Sequence, residues 1–335
     1  MLHVIFFMYT KPEPTPMSDI DRVLRSNLKL KHLQLIVALD EFRHLGRSAE
    51  FLSLTQPAVS KSLAEIERLF GLELFVRSTR GTEPTAYGQK VARFARSVLA
   101  DFDRTREDIS AVASGGAGRI RVGAMVVATP GLLMEAVSRL KQEAPRTAVL
   151  VEEGDLSRLL PRLRVGELDF IVGRLEPGYA SPDLETEALY TEAMSVVVAS
   201  DHALARLRKP GWADLAAQPW VVPPPWASSR IKLNQMFYKH GLEPPADIVE
   251  TASFLVTLSF LRQHRRVAFV AHEVARYLEG EQLARTLALP VPIELPPVGL
   301  IMLRGGLRTP AADKLLGTLR ASARRGAKAR RRPAR

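Results

Sequence analysis

The chain of 335 residues has no cysteine, which removes disulfide scaffolds, thiolate zinc sites and thiol nucleophiles. No stretch approaches the ~20 consecutive apolar residues of a membrane-spanning helix, so no membrane partner is expected. The seven histidines are scattered, and "AHEVAR" lacks the second histidine of a zinc-protease helix. "GGAG" has neither the spacing nor the strand-to-helix position of a dinucleotide loop, and there is no P-loop or G-x-S-x-G motif. These absences leave no catalytic residues, metal or cofactor to name. The opening "MLHVIFFMY" lacks a basic flank, and "TKPEPTPMSD" after it offers no small-residue cleavage site, so a signal peptide is not expected. A start at Met17 is at least as good a reading, and a cytoplasmic location is expected.

What is present begins with charge. The formal net charge is +11, but "RRGAKARRRPAR" at the end holds seven Lys/Arg and no acid. Much of the excess therefore belongs to an expected disordered tail over 323–335, either simply solvated or a phosphate-binding arm.

Residues 1–26 read as an extension, and 27–84 as a compact helical unit ending in a hairpin. Residues 85–114 form one long amphipathic helix, with Val91, Phe94, Val98, Phe102, Ile109 and Val112 recurring at three- and four-residue steps. "SGGAG" then breaks it, with 115–118 as a hinge. Beyond lie alternating strands and helices, which predict mostly parallel α/β sheets in two similar halves, 119–192 with 297–322, and 193–296.

Within the helical unit, "KLKHLQLIVALDEFRH" places Leu30, Leu33, Ile36, Val37 and Phe42 on one side, and Gly46 serves as cap of the next helix. In "LTQPAVSKSLAEIERLFG", Thr55 caps a third helix and Pro57 sits in its first turn, where a missing N–H costs nothing. Val59, Leu63, Ile66 and Leu69 or Phe70 form its buried stripe, and Gly71 ends it. Gln56, Pro57, Ser60 and Lys61 are left outward at the leading end. This suits either an ordinary solvated face or a helix whose first turns enter a major groove. "ELFVR", "STRGT" and the return before Pro84 add a wing, with Arg77, Arg80 and Thr82 at sugar-phosphate positions.

"SAEFLSLTQPAVSKSLAEIERLFGLELFVRSTRGTEPTAYG" resembles the N-terminal signature of LysR-type transcriptional regulators. That family's pattern runs A-A-x-x-L-x-x-S-Q-P-A-x-S-x-x-I-x-x-L-E-x-x-L-G-x-x-L-F-x-R, then a basic wing and T-x-x-G. Ser48 and Thr55 stand where small Ala and Ser are usual, and Gly46 where the cap is often Thr. The resemblance extends from about residue 27 through the paired α/β halves. It implies a winged helix-turn-helix, a linker helix, and a two-subdomain effector domain like that of periplasmic binding proteins. Carried over by position, the contacts with double-stranded operator DNA fall on Gln56, Pro57, Ser60 and Lys61. Arg47 and Thr55 touch backbone, and Arg77 and Arg80 lie in the wing. The resemblance also implies a homodimer through the long helix and a homotetramer. From the residues alone, the apolar line of that helix favours a dimerisation helix that pairs two winged units, with packing on its own C-terminal domains as the other reading.

Ligands of paired α/β units bind at the carboxyl ends of strands, where helix N-termini converge. "VGAMVVATPGLLM" places Ala124, Met125 and Val126 in such a loop, with Thr129 as a helix cap. "PPPWASSRIK" supplies Ser228 or Ser229 as the counterpart cap. Gly154, Asp155 and Thr251 end further strands, and Arg174 and Arg230 offer charge. Trp226 is either an aromatic wall or a packing residue. "HRRVAFVAH" departs from the family's usual glycine-containing turn and proline-ended strand, which leaves the far edge near Ala271 and His272 undefined. The C-terminal region resembles regulators of sugar-uptake or aromatic-acid genes, so the effector is an aromatic or other small carboxylate, or a sugar.

Overall fold

The computed structural model describes residue 20 and residues 22–78, 81–113, 118–306 and 308–330. The chain divides into two compact units, residues 1–104 and 105–335. Among the described residues no helix is long and apolar enough to cross a membrane.

In the first unit, helices α1 (Leu30–Phe42), α2 (Leu45–Phe51) and α3 (Gln56–Phe70) precede an antiparallel hairpin, β1 (Phe75–Ser78) and β2 (Gly81–Pro84). Leu33, Leu35, Ile36 and Leu39 of α1 meet Val59, Leu63, Ile66 and Phe70 of α3 in one core. Leu30, expected in the stripe, is 37 % exposed, and Leu35 and Leu39 take its place. Helix α1 is apolar on most of its circumference, so periodicity could not choose its buried face. The core also takes in Val23, which lies in a π-helical turn over Val23–Asn27; the unit therefore begins inside the expected extension.

Helix α2 is capped by His44 and not by Gly46. Its Nδ1 accepts from Gly46 N at 3.0 Å and from Arg47 N at 3.3 Å. Thr55 Oγ1 accepts from Ala58 N at the start of α3, and Gly71 closes that helix at φ 62°, a left-handed cap that glycine adopts without side-chain strain.

The joints on either side of the hairpin give the signature physical content. Glu67 Oε1 accepts from Leu74 N at 2.8 Å and Phe75 N at 3.0 Å, tying the end of α3 to the start of β1. Thr85 Oγ1 donates to Glu73 O at 2.8 Å and accepts from Gly88 N at 3.0 Å, while Thr85 N donates to Leu74 O at 2.8 Å. These bonds start the long helix α4 (Ala86–Ala113). A Cβ at Gly88 would sit on the Leu74 carbonyl oxygen, closer than side chains ever approach. Along α4, Ala92 and Ala95 enter the first core, with Val91, Val98 and Leu99 packed beside it. Phe94, Phe102 and Ile109 of the expected stripe stay exposed, at 38, 49 and 66 %. The expected hinge falls largely on residues outside those described.

The second unit holds two five-stranded sheets. The first contains β3 (Arg119–Ala124), β4 (Ala148–Glu153), β5 (Phe170–Arg174), β6 (Leu184–Tyr190) and β12 (Val298–Leu303), in the order β4-β3-β5-β12-β6. The second contains β7 (Met194–Val198), β8 (Trp220–Val222), β9 (Ile248–Glu250), β10 (Val267–Ala271) and β11 (Arg285–Thr286), in the order β11-β7-β10-β8-β9. Both sheets follow one plan: three parallel strands, then a reversed strand, then an outer strand. The reversed strand in each, β12 or β7, is the one that has just crossed from the other half. The sheets are thus mixed where a mostly parallel arrangement was expected, and the reversal marks the two crossings.

Helices α5 (Met134–Glu143), α6 (Leu156–Arg164), α7 (Trp212–Ala216), α8 (Ser228–Lys239), α9 (Phe254–Gln263), α10 (His272–Gly280) and α11 (Pro310–Arg330) complete the unit. Pro161 lies inside α6. Helix α11 overturns the expectation of a tail from 323: it runs to Arg330, Ala323 is buried, and Arg325 pairs with Glu135 at 3.0 Å. The buried alanine and that ion pair fall on positions where composition alone suggested solvent. Residues 331–335 lie outside those described.

Candidate nucleic-acid interface and ligand cavity

The leading end of α3 carries Gln56, Pro57 and Lys61 exposed, with Ser60 half-buried. Its core side is occupied by Val59, Leu63 and Ile66, so these polar groups have nowhere to go but outward. Arg77, exposed on β1, donates to Ser60 Oγ at 3.0 Å. This bond joins the wing to the helix and places a guanidinium beside its first turns. Thr55 Oγ1 serves in the cap as acceptor only, and Thr55 and Arg47 are both exposed. Thr82, read as a wing contact, is instead buried: Thr82 N donates to Arg43 O at 2.9 Å, which pulls that position against the end of α1. Arg80 lies outside the described residues.

Charge separates this face from an ordinary solvated one. Arg43 is paired with Asp40 and Glu83, and Arg96 with Asp40 and Glu41. Among the described residues, Arg47, Lys61 and Arg77 make no ion pair. The first turn of α3 contains no acid either, so its dipole and three uncompensated cations share one sign. Such a surface attracts phosphate.

Between the two halves of the second unit lies a cavity of about 390 Å³, within the usual range for small-molecule sites of roughly 300–1,000 Å³. Of the residues expected there, Met125, Val126, Gly154, Asp155, Arg174, Ser229 and Thr251 line it. Ala124, Thr129, Ser228 and Arg230 do not. Ala124 is fully buried in β3. The helical run begins at Val126 and not after Thr129, whose Oγ1 turns back to donate to Met125 O at 3.3 Å. Helix α8 is preceded by Ala227 with no side-chain cap, so neither serine caps it. Ser228 Oγ instead donates to Glu176 Oε1 at 2.9 Å, a bond between the halves. Arg230 is drawn away to Glu250, at 2.9 Å, and to Pro223 O.

Residues not anticipated complete the lining, chiefly Glu176, Met194, Phe254, Thr257 and Phe269. Ser253, whose Oγ accepts from Val256 N, opens α9 as a further helix start at the cavity. Trp226 is 63 % exposed at the cavity. Ala271 forms part of the wall, and His272 Nδ1 lies 3.0 Å from Ser195 Oγ. Arg174 is only 4 % exposed. Its Nη1 donates to Pro296 O at 2.8 Å, and its Nη2 faces Met194 Sδ at 3.9 Å. Burial lowers its affinity for the proton, opposed by the charges of Glu176 and Glu192. Among the described residues no cluster of acids and histidines is suited to a metal ion.

A winged helical unit with an uncompensated basic face, continued by one helix into a two-sheet unit with a central cavity, describes a DNA-binding regulator that senses a small molecule. The comparisons with known proteins agree. Residues 30–89 match the bacterial regulatory helix-turn-helix protein family of the lysR type, and residues 113–324 match the LysR substrate binding domain. The chain belongs to the LysR family of transcriptional regulators. It is 31 % identical to the HTH-type transcriptional regulator GbpR of Azospirillum brasilense over 89 % of this chain and 88 % of that one. It is 32 % identical to the HTH-type transcriptional regulator GalR of Pseudomonas putida, over 87 % of this chain and 73 % of the relative. In fold it is similar to CbnR, a LysR family transcriptional regulator, with a TM-score of 0.67 at 18 % identity, covering 88 % of this chain and 99 % of CbnR. A full-length OxyR variant from Pseudomonas aeruginosa is also similar, with a TM-score of 0.59 at 22 % identity, covering 87 and 97 %.

Proposed function

We propose that this LysR-type regulator reads its operator through Gln56, Pro57, Ser60 and Lys61 on α3, with Arg47, Thr55, Arg77 and Arg80 on the backbone. In this reading a small effector in the cavity between the α/β halves switches it. The observation that carries the DNA contacts is the set of uncompensated cations, Arg47, Lys61 and Arg77, around a helix start with no acid in its first turn. The DNA-bound form of CbnR, described as a complex with its target DNA, is a relative in fold that supports the same use of this unit. The exposed row of Phe94, Phe102 and Ile109 along α4 supports a homodimer, because an apolar line of this kind is covered in a stable assembly. Pairing two winged units lets two half-sites be read together; a homotetramer and a cytoplasmic location complete the proposal. The effector is a small carboxylate, aromatic or otherwise, or a sugar.

The test is a mobility-shift titration of the full chain on promoter fragments at several salt concentrations. Lys61→Ala weakens binding and lowers the salt slope by about 0.9, the value of one phosphate contact. Unchanged affinity together with an unchanged slope rejects the assignment of Lys61.

A further inference from the structure

Helix α2 needs a side-chain acceptor at its start, and serine, threonine, asparagine or aspartate commonly supplies one. Here His44 does so, with Nδ1 accepting from Gly46 N at 3.0 Å and from Arg47 N at 3.3 Å. Two bonds into one ring nitrogen settle the tautomer: Nδ1 keeps its lone pair, so the neutral ring carries its proton on Nε2. Nε2 lies across the ring from the capped amides. It has no acceptor among the described residues, and His44 is exposed. The cap therefore leaves one oriented N–H donor facing solvent.

The place of the ring gives that donor a use. A Cβ built at Gly46 would lie 3.1 Å from His44 Cε1, 3.3 Å from its Nδ1 and 3.6 Å from Gln56 Oε1. The space that a side chain would fill at position 46 is thus shared by the imidazole and by Gln56, the first residue of α3. One of the capped amides belongs to Arg47, and Arg47, Lys61 and Arg77 make no ion pair among the described residues. His44 therefore stands beside the start of α3, among cations that draw phosphate to this face. A serine would cap the helix as well, but its side chain would end at the cap. The imidazole extends past it and adds a donor without adding charge.

Resting on the operator reading above, we propose that His44 is a further operator contact, its Nε2–H donating to a backbone phosphate oxygen beside the base step met by Gln56. Because the ring is neutral, the contact releases no counterion, so it strengthens binding without steepening the salt dependence. Arg47, Lys61 and Arg77 act through charge and do both. Because phosphate oxygens are common to all sequences, the contact adds affinity equally on any duplex. It fixes how the helix is seated and leaves the choice of base to α3.

The experiment is fluorescence anisotropy of the full chain with a promoter fragment and with a duplex of arbitrary sequence, at several salt concentrations and about pH 8, above the ordinary histidine range. His44→Ser keeps an acceptor for the cap and removes the donor. It is expected to bind both duplexes about 10-fold less tightly, the usual effect of losing one hydrogen bond to a charged acceptor, with an unchanged salt slope. His44→Gln, whose side-chain amide reaches the position of Nε2, is expected to recover most of that loss. Hydrogen exchange over residues 45–51 checks that α2 is kept; tryptophan fluorescence cannot, because Trp212, Trp220 and Trp226 all lie in the second unit. His44→Thr serves if the serine variant loses that protection. Equal binding by the parent and His44→Ser overturns the assignment, as does a loss of the same size in His44→Gln. So does a loss confined to the promoter fragment, which marks a base contact, or a slope lowered by about 0.9, which marks a charged ring. If Lys61→Ala binds more weakly and His44→Ser does not, the operator reading stands and only the role of His44 falls. If the parent binds neither duplex, the operator reading fails and this contact falls with it.

Discussion

Gly88→Ala inverts the ordinary expectation for a helix. Replacing glycine by alanine inside a helix gains about 1 kcal/mol from backbone propensity. Gly88, however, is where α4 passes the hairpin. A Cβ there would meet the Leu74 carbonyl oxygen, with the Leu74 carbon at 2.9 Å and Pro84 Cβ at 3.2 Å. The obstacle is backbone and cannot rotate away. Relief requires α4 to lift from β1, at an overpacking cost of about 1–3 kcal/mol or more. Lifting also strains Thr85 N to Leu74 O and Thr85 Oγ1 to Glu73 O, each worth about 1 kcal/mol. Against the propensity gain the net loss is about 2–4 kcal/mol, a large share of a small unit's stability of roughly 5 kcal/mol or somewhat more. Hydrogen exchange over residues 33–39 and 59–69 reports this unit, while tryptophan fluorescence reports only the second. Gly88→Ala should speed exchange in the first and leave the fluorescence melt unchanged. Gly71→Ala, at φ 62° with open space around it, should cost only about 1 kcal/mol. If Gly88→Ala exchanges as slowly as the parent, the reasoning from close approach is wrong.

Glu67→Ala leaves Leu74 N and Phe75 N without their acceptor; a loss of about 2–3 kcal/mol is expected in chemical denaturation of the first unit, and a loss below about 0.5 kcal/mol speaks against the joint. Phe102→Asp with Ile109→Asp places charge on the exposed row of α4, and analytical ultracentrifugation should show dissociation toward monomer; an undiminished dimer removes α4 as the contact. His32 is buried and its Nδ1 accepts from Lys29 N at 3.3 Å, and burial holds its imidazole below its ordinary value of 6.5. Because the folded state binds this proton less readily than the unfolded one, the stabilisation is full above pH 6.5 and is lost as pH falls beneath it. Exchange protection of α1 measured at about pH 7.5 and about pH 5 should drop at the acid side in the parent and drop less in His32→Gln; equal pH dependence in both excludes His32 as the source.

Much of the first unit was legible because its signals are local. Thr55, Pro57 and Gly71 mark the ends of α3 through bonds within a few residues of themselves. The stripe of Val59, Leu63 and Ile66 needs only the helical repeat to be read. The second unit is legible as alternating strands and helices, but β6, "LETEALY", carries no strand signal of its own. Its side chains are mostly exposed or half-buried, so it lacks the apolar run of a covered strand.

At the cavity, the sequence by itself determined which loops gather at the strand ends, because that follows from the order of strands and helices. Which side chains face inward was decided only by the tertiary structure. Successive residues on a helix turn by about 100°, so a cap displaced by one position from Ser228 to Ala227 re-aims every neighbour. Arg230 accordingly turns to Glu250, whereas Arg174 is enclosed by Pro296 and Met194, 122 and 20 residues away along the chain. No local pattern carries those separations; they exist only once the chain has crossed between the sheets and returned.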